Sequence, residues 1–286
     1  MESIQLVFDW PEDLALEVRE ERTIDAIHDD VQRRYRSENV FQLAWDGATR
    51  TVRIRDHHRR VLERTPPPPG VFDHQQIVRF VEECGPSFTV RDDGQVGELL
   101  PGLGDATRAA ITLPPAFLAA NPQVAGLVAR LSTDAMIAAA AQAFWNPIVG
   151  GLAGGELPVE GETRIVMPVV VPAVGAPIDH LVQMSIAERW DDGRVQIRTV
   201  VAPVRDALPR VAEAIASPGL GGLRVTGAES LTVTDTETWP DTLVPVRVTV
   251  DRLVVAGATH PTTGLQSART HERRTWTFRR VGRDDA

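Results

Sequence analysis

Leu14-Ala15-Leu16-Glu17-Val18-Arg19-Glu20-Glu21 decides the fold class. Leu14, Leu16 and Val18 point one way while Glu17, Arg19 and Glu21 point the other. That period of two belongs to a strand with one dry face and one wet face. The alternation extends from Ser3 to about Leu62. Trp10-Pro11-Glu12-Asp13 interrupts it as a turn between the first two strands. Trp45-Asp46-Gly47, set between Phe41-Gln42-Leu43 and Val52-Arg53-Ile54, has hairpin composition.

The far end of the chain repeats the pattern. Beyond Glu160, strand-like runs cover Thr163 to Val171, Ile178 to Trp190, Arg194 to Pro203, Leu223 to Thr238, Leu243 to Ala256 and Leu265 to Val281. Asp191-Asp192-Gly193, Trp239-Pro240-Asp241 and His260-Pro261-Thr262-Thr263-Gly264 supply turns between neighbours, so these strands are expected to pair sequentially and antiparallel. One helix, Val204 to Ser217, interrupts the series.

The middle reads differently. Four prolines up to Gly70 form a stiff connector without backbone donors. Ile77, Val78, Phe80 and Val81 then have the spacing of a short helix ending at Gly85-Pro86. Phe88-Thr89-Val90 is a strand that turns at Asp92-Asp93-Gly94. From Pro114 to Leu152 the period becomes helical, and Ser132-Thr133-Asp134 caps an alanine-rich second helix that runs to Trp145. Glycines at 150, 151, 154 and 155 stop it.

The expected architecture is therefore α+β: a long, curved antiparallel sheet built from N-terminal and C-terminal strands and packed on a central helical segment. Residues 1–64 would give strands to the shared sheet and 65–70 the connector. Residues 71–157 would form the helical middle with its short hairpin, 158–282 the C-terminal β-rich part, and 283–286 a tail.

Composition excludes several function classes. The chain has 286 residues and a formal charge of -9, which argues against a nucleic-acid partner. Arg33, Arg34 and Arg36, and likewise Arg59 and Arg60, read as solvated strand faces. All 30 basic side chains are arginine, so no Schiff base, amine nucleophile or phosphate-loop lysine exists. A high-GC coding bias accounts for that absence. The single cysteine, Cys84, rules out an internal disulfide. Thr133 to Glu156, the longest stretch of low charge, is broken by Asn146-Pro147 and glycines, so no transmembrane segment is expected. As written the start lacks an export signal, giving a cytoplasmic expectation, or the cell envelope or periplasm where a leader has been removed.

Chemical motifs are sparse. Asp56-His57-His58 shares three letters with the aspartate-histidine-histidine phosphoesterases, but it lies in an arginine-rich strand without that family's paired aspartates or glycine-histidine motif. His28-Asp29-Asp30 is the other His/Asp cluster, and a polar turn explains it equally well. No nucleophile elbow, catalytic residue or cofactor motif is present.

The order Leu6-Val7-Phe8-Asp9-Trp10-Pro11, Gly85-Pro86-Ser87-Phe88-Thr89-Val90, then Phe144-Trp145-Asn146 before long strands resembles a loosely defined group of uncharacterised bacterial β-rich proteins, many of them exported lipoproteins. The resemblance carries over no functional residue. The leading functional reading, taken from the residues themselves, is a non-enzymatic protein holding a lipid or other hydrophobic small molecule between sheet and helices. Phe117, Leu118, Met136, Phe144, Trp145, Met167, Met184 and Ile186 are the expected lining. The same side chains would also serve a dry core. A metal-dependent hydrolase using His28, Asp29, Asp30 or Asp56, His57, His58 is the rival, and an adaptor that pairs through long edge strands is a third reading.

Overall fold

The computed structural model describes residues 2–28, 31–66, 87–100, 119, 133–171, 176–204, 224–260 and 264–281. The strands are β1 (Ser3–Gln5), β2 (Ala15–His28), β3 (Val31–Asp46), β4 (Thr51–Arg64), β5 (Phe88–Val90), β6 (Val96–Leu99), β7 (Glu156–Pro158), β8 (Thr163–Val171), β9 (Ala176–Arg189), β10 (Val195–Pro203), β11 (Arg224–Thr238), β12 (Pro245–His260) and β13 (Gly264–Arg280). Among the described residues, the α-helix α1 (Asp134–Trp145) runs into a π turn at Asn146–Gly150.

Eleven strands form one sheet in the order β6-β5-β4-β3-β2-β13-β12-β11-β10-β9-β8. Each pairing is antiparallel. The two ends of the chain meet at its centre, where Val18 on β2 stands opposite Phe278 on β13, and Glu20 opposite Trp276. Local hairpins build each half, and this one long-range pairing joins them.

The α+β expectation is overturned: the described residues are mostly β, and among them no central helical layer carries the sheet. Length explains why. A 12-residue helix spans about 18 Å, whereas eleven strands at about 4.8 Å spacing extend over roughly 50 Å. Helix α1 can cover one part of the sheet and no more. Apart from Val204 and residue 119, the helix expected at Val204 to Ser217, the short one expected before Gly85-Pro86 and the first half of Pro114 to Leu152 lie outside the described residues.

The expected pairing at the start of the chain also differs. β1 does not join β2; it pairs with β7 in a separate two-stranded sheet, Ile4 opposite Leu157. Leu6 N–H donates to Gly155 O at 2.8 Å, Gly154 N–H donates to Leu6 O at 2.9 Å, and Val7 N–H donates to Pro240 O at 2.8 Å. Residues 6–14 thereby cross one end of the large sheet. Trp10 fixes the crossing by donating its Nε1–H to Leu243 O at 3.0 Å.

Under that crossing lies the core. It takes the apolar ends of Leu16 and Val18 on β2, Phe41, Leu43 and Trp45 on β3, Val52 on β4, Phe88 on β5 and Trp276 and Phe278 on β13. Against them sit Leu6 and Trp10, with Ala141, Trp145, Ile148 and Val149 from the helix and its π turn. Trp145 is fully buried, 5.2 Å from the Trp10 ring and 5.5 Å from Phe88, both edge-on. Edge-to-face packing of this kind adds to the area each indole removes from water. Pro147 sets the widened turn after α1: it offers no N–H to the helix, and Gly151 N–H reaches back five residues to Asn146 O at 2.9 Å.

Candidate functional site

Cross-strand partners share a face, so the core defines an inner face that can be followed away from the aromatic end. On β2 the inner phase runs Leu16, Val18, Glu20, Arg22, Ile24. Two charged side chains thus occupy positions the apolar rhythm would give to hydrophobes. They are buried nonetheless, Glu20 at 8% exposure and Arg22 at 6%. On β3 the inner phase continues from Phe41 through Asn39 and Ser37 to Tyr35, also buried.

The register stacks these residues into rows. One row reads Val61 (β4), Ser37 (β3), Arg22 (β2), Arg274 (β13), Val250 (β12), Thr234 (β11), Thr199 (β10), Met184 (β9), Thr163 (β8). The row nearer the core reads Arg59, Asn39, Glu20, Trp276, Val248, Thr236, Ile197, Ile186. The row farther out reads Tyr35, Ile24, Glu272, Arg252, Thr232, Val201, Val182, Ile165. Across the sheet, the inner face therefore passes from polar and charged on β4, β3, β2 and β13, through a threonine ladder on β11, to mainly apolar on β10, β9 and β8.

Arg22 and Arg274 face each other directly, a like-charge pairing that costs energy unless anions bridge it. Glu272 is the bridge: its Oε1 accepts from Arg22 Nε at 2.9 Å and from Arg274 Nε at 2.5 Å. Burial pushes the Glu272 carboxyl up, but the nearby charges of Arg274, Arg22 and Arg252 outweigh it and hold the pKa at about 2. Arg274 also lies 3.8 Å from Glu20, which accepts from Asn39 Nδ2. Arg59 donates to the Tyr35 hydroxyl oxygen and places its guanidinium 5.5 Å from that ring. Within this network, Ser37 Oγ and Asn39 Oδ1 are buried with no hydrogen-bond partner.

The expected lining residues divide. Trp145 fills the core, and Phe144 lies half-buried beside it, 6.0 Å from Phe41 and 6.3 Å from Trp276. Met184 and Ile186 stand half-buried against the same core. Met167 is 41% exposed on β8, beside Ile165 at 43%. Met136 lies in α1, and Phe117 and Leu118 lie outside the described residues.

The His/Asp clusters do not gather. Phe41 is opposed by both Asp56 and His57, a bulge in which Asp56 takes φ 52°. His57 turns inward and stacks on Phe41 at 5.8 Å, while Asp56 and His58 are exposed. His28 ends β2, and Asp29 and Asp30 lie outside the described residues. Among the described residues, no three His, Cys, Asp or Glu side chains come together as a metal ion would need. Nor is any helix there long and apolar enough to cross a membrane.

The charged inner band escaped the sequence reading, although its signal is present: Glu20 and Arg22 fall in phase with Leu14, Leu16 and Val18. The arginine clusters need a matching correction. Arg34, Arg36 and Arg60 are exposed as expected, whereas Arg33 and Arg59 are half-buried on the inner phase.

No protein-family model and no curated protein sequence matches the chain. Among solved structures, one of lipovitellin, concerned with its lipid-protein interactions, aligns at 8% identity and a TM-score of 0.46. The alignment covers 94% of this chain and 25% of that one, so this chain spans about a quarter of its length.

Proposed function

We propose that the protein is a binding protein for an amphipathic, lipid-like molecule, which it holds on the inner face of its sheet. The observation that carries this reading is the gradient across that face. Apolar side chains on β8, β9 and β10, among them Ile165, Met167 and Met184, keep partial access to water. A sheet face of this kind gains about 25 cal/mol for each Å² of apolar surface that a ligand covers. Phe144, Met167, Met184 and Ile186 form the apolar wall. Trp145 stays in the packed core, edge-on to Phe8, Trp10 and Phe88. The test is native mass spectrometry of the purified protein together with titration by Nile red, an uncharged hydrophobic dye. Apolar molecules that co-purify and saturable dye binding support the reading; absence of both ends it.

A second reading rests on a separate observation. Ile165, Val166 and Met167 are all exposed on β8, the strand at one end of the sheet order. An apolar edge invites pairing with another chain, although Pro168 withholds one N–H from it. Light scattering over a hundredfold range of concentration tests for self-pairing: a constant mass removes it.

A further inference from the structure

The charged band identifies the headgroup. We propose that Ser37, Asn39, Arg22 and Arg274 form a site for a phosphate monoester carrying a neighbouring hydroxyl, the polar end of an amphiphile whose chain extends toward Met184; this rests on the lipid-like reading above.

Three observations support the assignment. First, Ser37 is 1% exposed and Asn39 3%, yet Ser37 Oγ and Asn39 Oδ1 have no partner. Buried polar atoms are normally satisfied, and each one left alone costs free energy that a ligand can recover. Their chemistry specifies the ligand. Asn39 Nδ2 donates to the Glu20 carboxylate, which fixes the amide so that Oδ1 is a lone acceptor and requires a donor such as a hydroxyl. The Ser37 hydroxyl can donate to an anion.

Second, the ring around these two atoms is cationic. Arg22 stands opposite Ser37 on β2 and Arg59 opposite Asn39 on β4, with Arg274 and Arg252 on the same face. Against these four guanidinium groups stand two carboxylates, Glu20 and Glu272. In a chain whose net charge is -9, the inner band carries the opposite sign. Guanidinium groups suit phosphate because their N–H donors match its oxygens.

Third, the register aligns polar and apolar ends. Ser37, Arg22, Arg274 and Met184 belong to one cross-strand row. From β13 to β9 is four strand spacings, about 19 Å, a span suited to a long acyl chain.

The experiment compares three competitors for Nile red on the full chain: 1-oleoylglycerol 3-phosphate, uncharged 1-oleoylglycerol, and inorganic phosphate. The phosphate amphiphile should displace the dye about tenfold more tightly than the uncharged one, the worth of hydrogen bonds to a charged group. Ser37→Ala should abolish most of that preference. The same variant should raise the melting temperature of the unliganded protein by about 2–4 °C, because it deletes a buried hydroxyl without a partner. A hydroxyl with only a structural role would leave the preference unmoved. Equal displacement by the two oleoyl compounds overturns the headgroup site while the lipid-like reading survives. Failure of the dye to bind at all removes that underlying reading. Displacement by inorganic phosphate alone, as tight as by the amphiphile, would assign the band to a free anion and overturn the proposal.

Discussion

Arg22 donates from Nε to Glu272 Oε1 at 2.9 Å across 250 positions of sequence, joining the N-terminal strand β2 to the C-terminal strand β13. Glu272 keeps a pKa of about 2 in the fold, against an ordinary value of 4.5. The ionised carboxylate therefore stabilises the native state at every pH above 4.5, and that contribution declines as pH falls from 4.5 to about 2. The shift is worth about 3 kcal/mol. Urea midpoints measured from pH 6 down to pH 2 should fall more steeply for the natural protein than for Glu272→Gln. At pH 7 the variant should be less stable by about 3–5 kcal/mol, since it removes the carboxylate that bridges the buried Arg22 to the half-buried Arg274. Parallel pH profiles for the two proteins would refute the bridge.

Trp145 offers a test of the packed end. Its Nε1–H donates to Gly94 O at 2.7 Å while its ring meets Phe8, Trp10 and Phe88. Trp145→Phe retains most of the ring and loses the hydrogen bond, a cost of about 1–3 kcal/mol. Trp145→Ala also leaves a cavity, so its cost should reach about 3–5 kcal/mol. Chemical denaturation separates the two. Equal losses would mean that the ring contributes little to the core.

Two turns of the same composition should respond differently to the same change. Asp92-Asp93-Gly94 and Asp191-Asp192-Gly193 both end on a glycine with positive φ, 76° and 88°. An alanine Cβ at Gly94 would come within 2.4 Å of Ala153 Cβ, whereas at Gly193 it would meet nothing within 4 Å. Gly193→Ala should cost about 1–2 kcal/mol of backbone strain alone. Gly94→Ala adds displacement of the segment beneath the core and should cost at least twice as much by thermal unfolding. Identical losses would show that the Gly94 turn does not bear on Ala153.

These turns also mark what the chain discloses locally. A run of β-branched residues places Thr163–Val171, and cap and composition place Asp134–Trp145, because both signals are carried by adjacent residues. The pairing of β1 with β7 spans more than 150 residues and has no local signature. The Asp56 bulge depends on how β4 meets Phe41 on β3, so the triplet could not be assigned its directions from alternation alone. Counting the phase of Glu20 and Arg22 would have exposed the charged band. Their partners, Glu272 and Arg274, become visible only once β13 is set beside β2.

The ligand face makes a last prediction through two residues of opposite aspect. Met184 on β9 shares its row with Ser37 on the inner face, while Leu231 on β11 neighbours Thr232 and so points outward, 41% exposed. Placing a carboxylate at Met184 would set an unpaired charge where an apolar chain is proposed to lie, a strongly unfavourable contact. Met184→Glu should weaken Nile red binding at least tenfold, about 1.4 kcal/mol, and Met184→Leu should preserve it because volume and polarity are retained. Leu231→Glu should leave binding unchanged. Fluorescence titration, with melting curves to establish that each variant is folded, decides the matter. If Met184→Glu and Leu231→Glu bind the dye equally well, the inner face is not where the ligand sits.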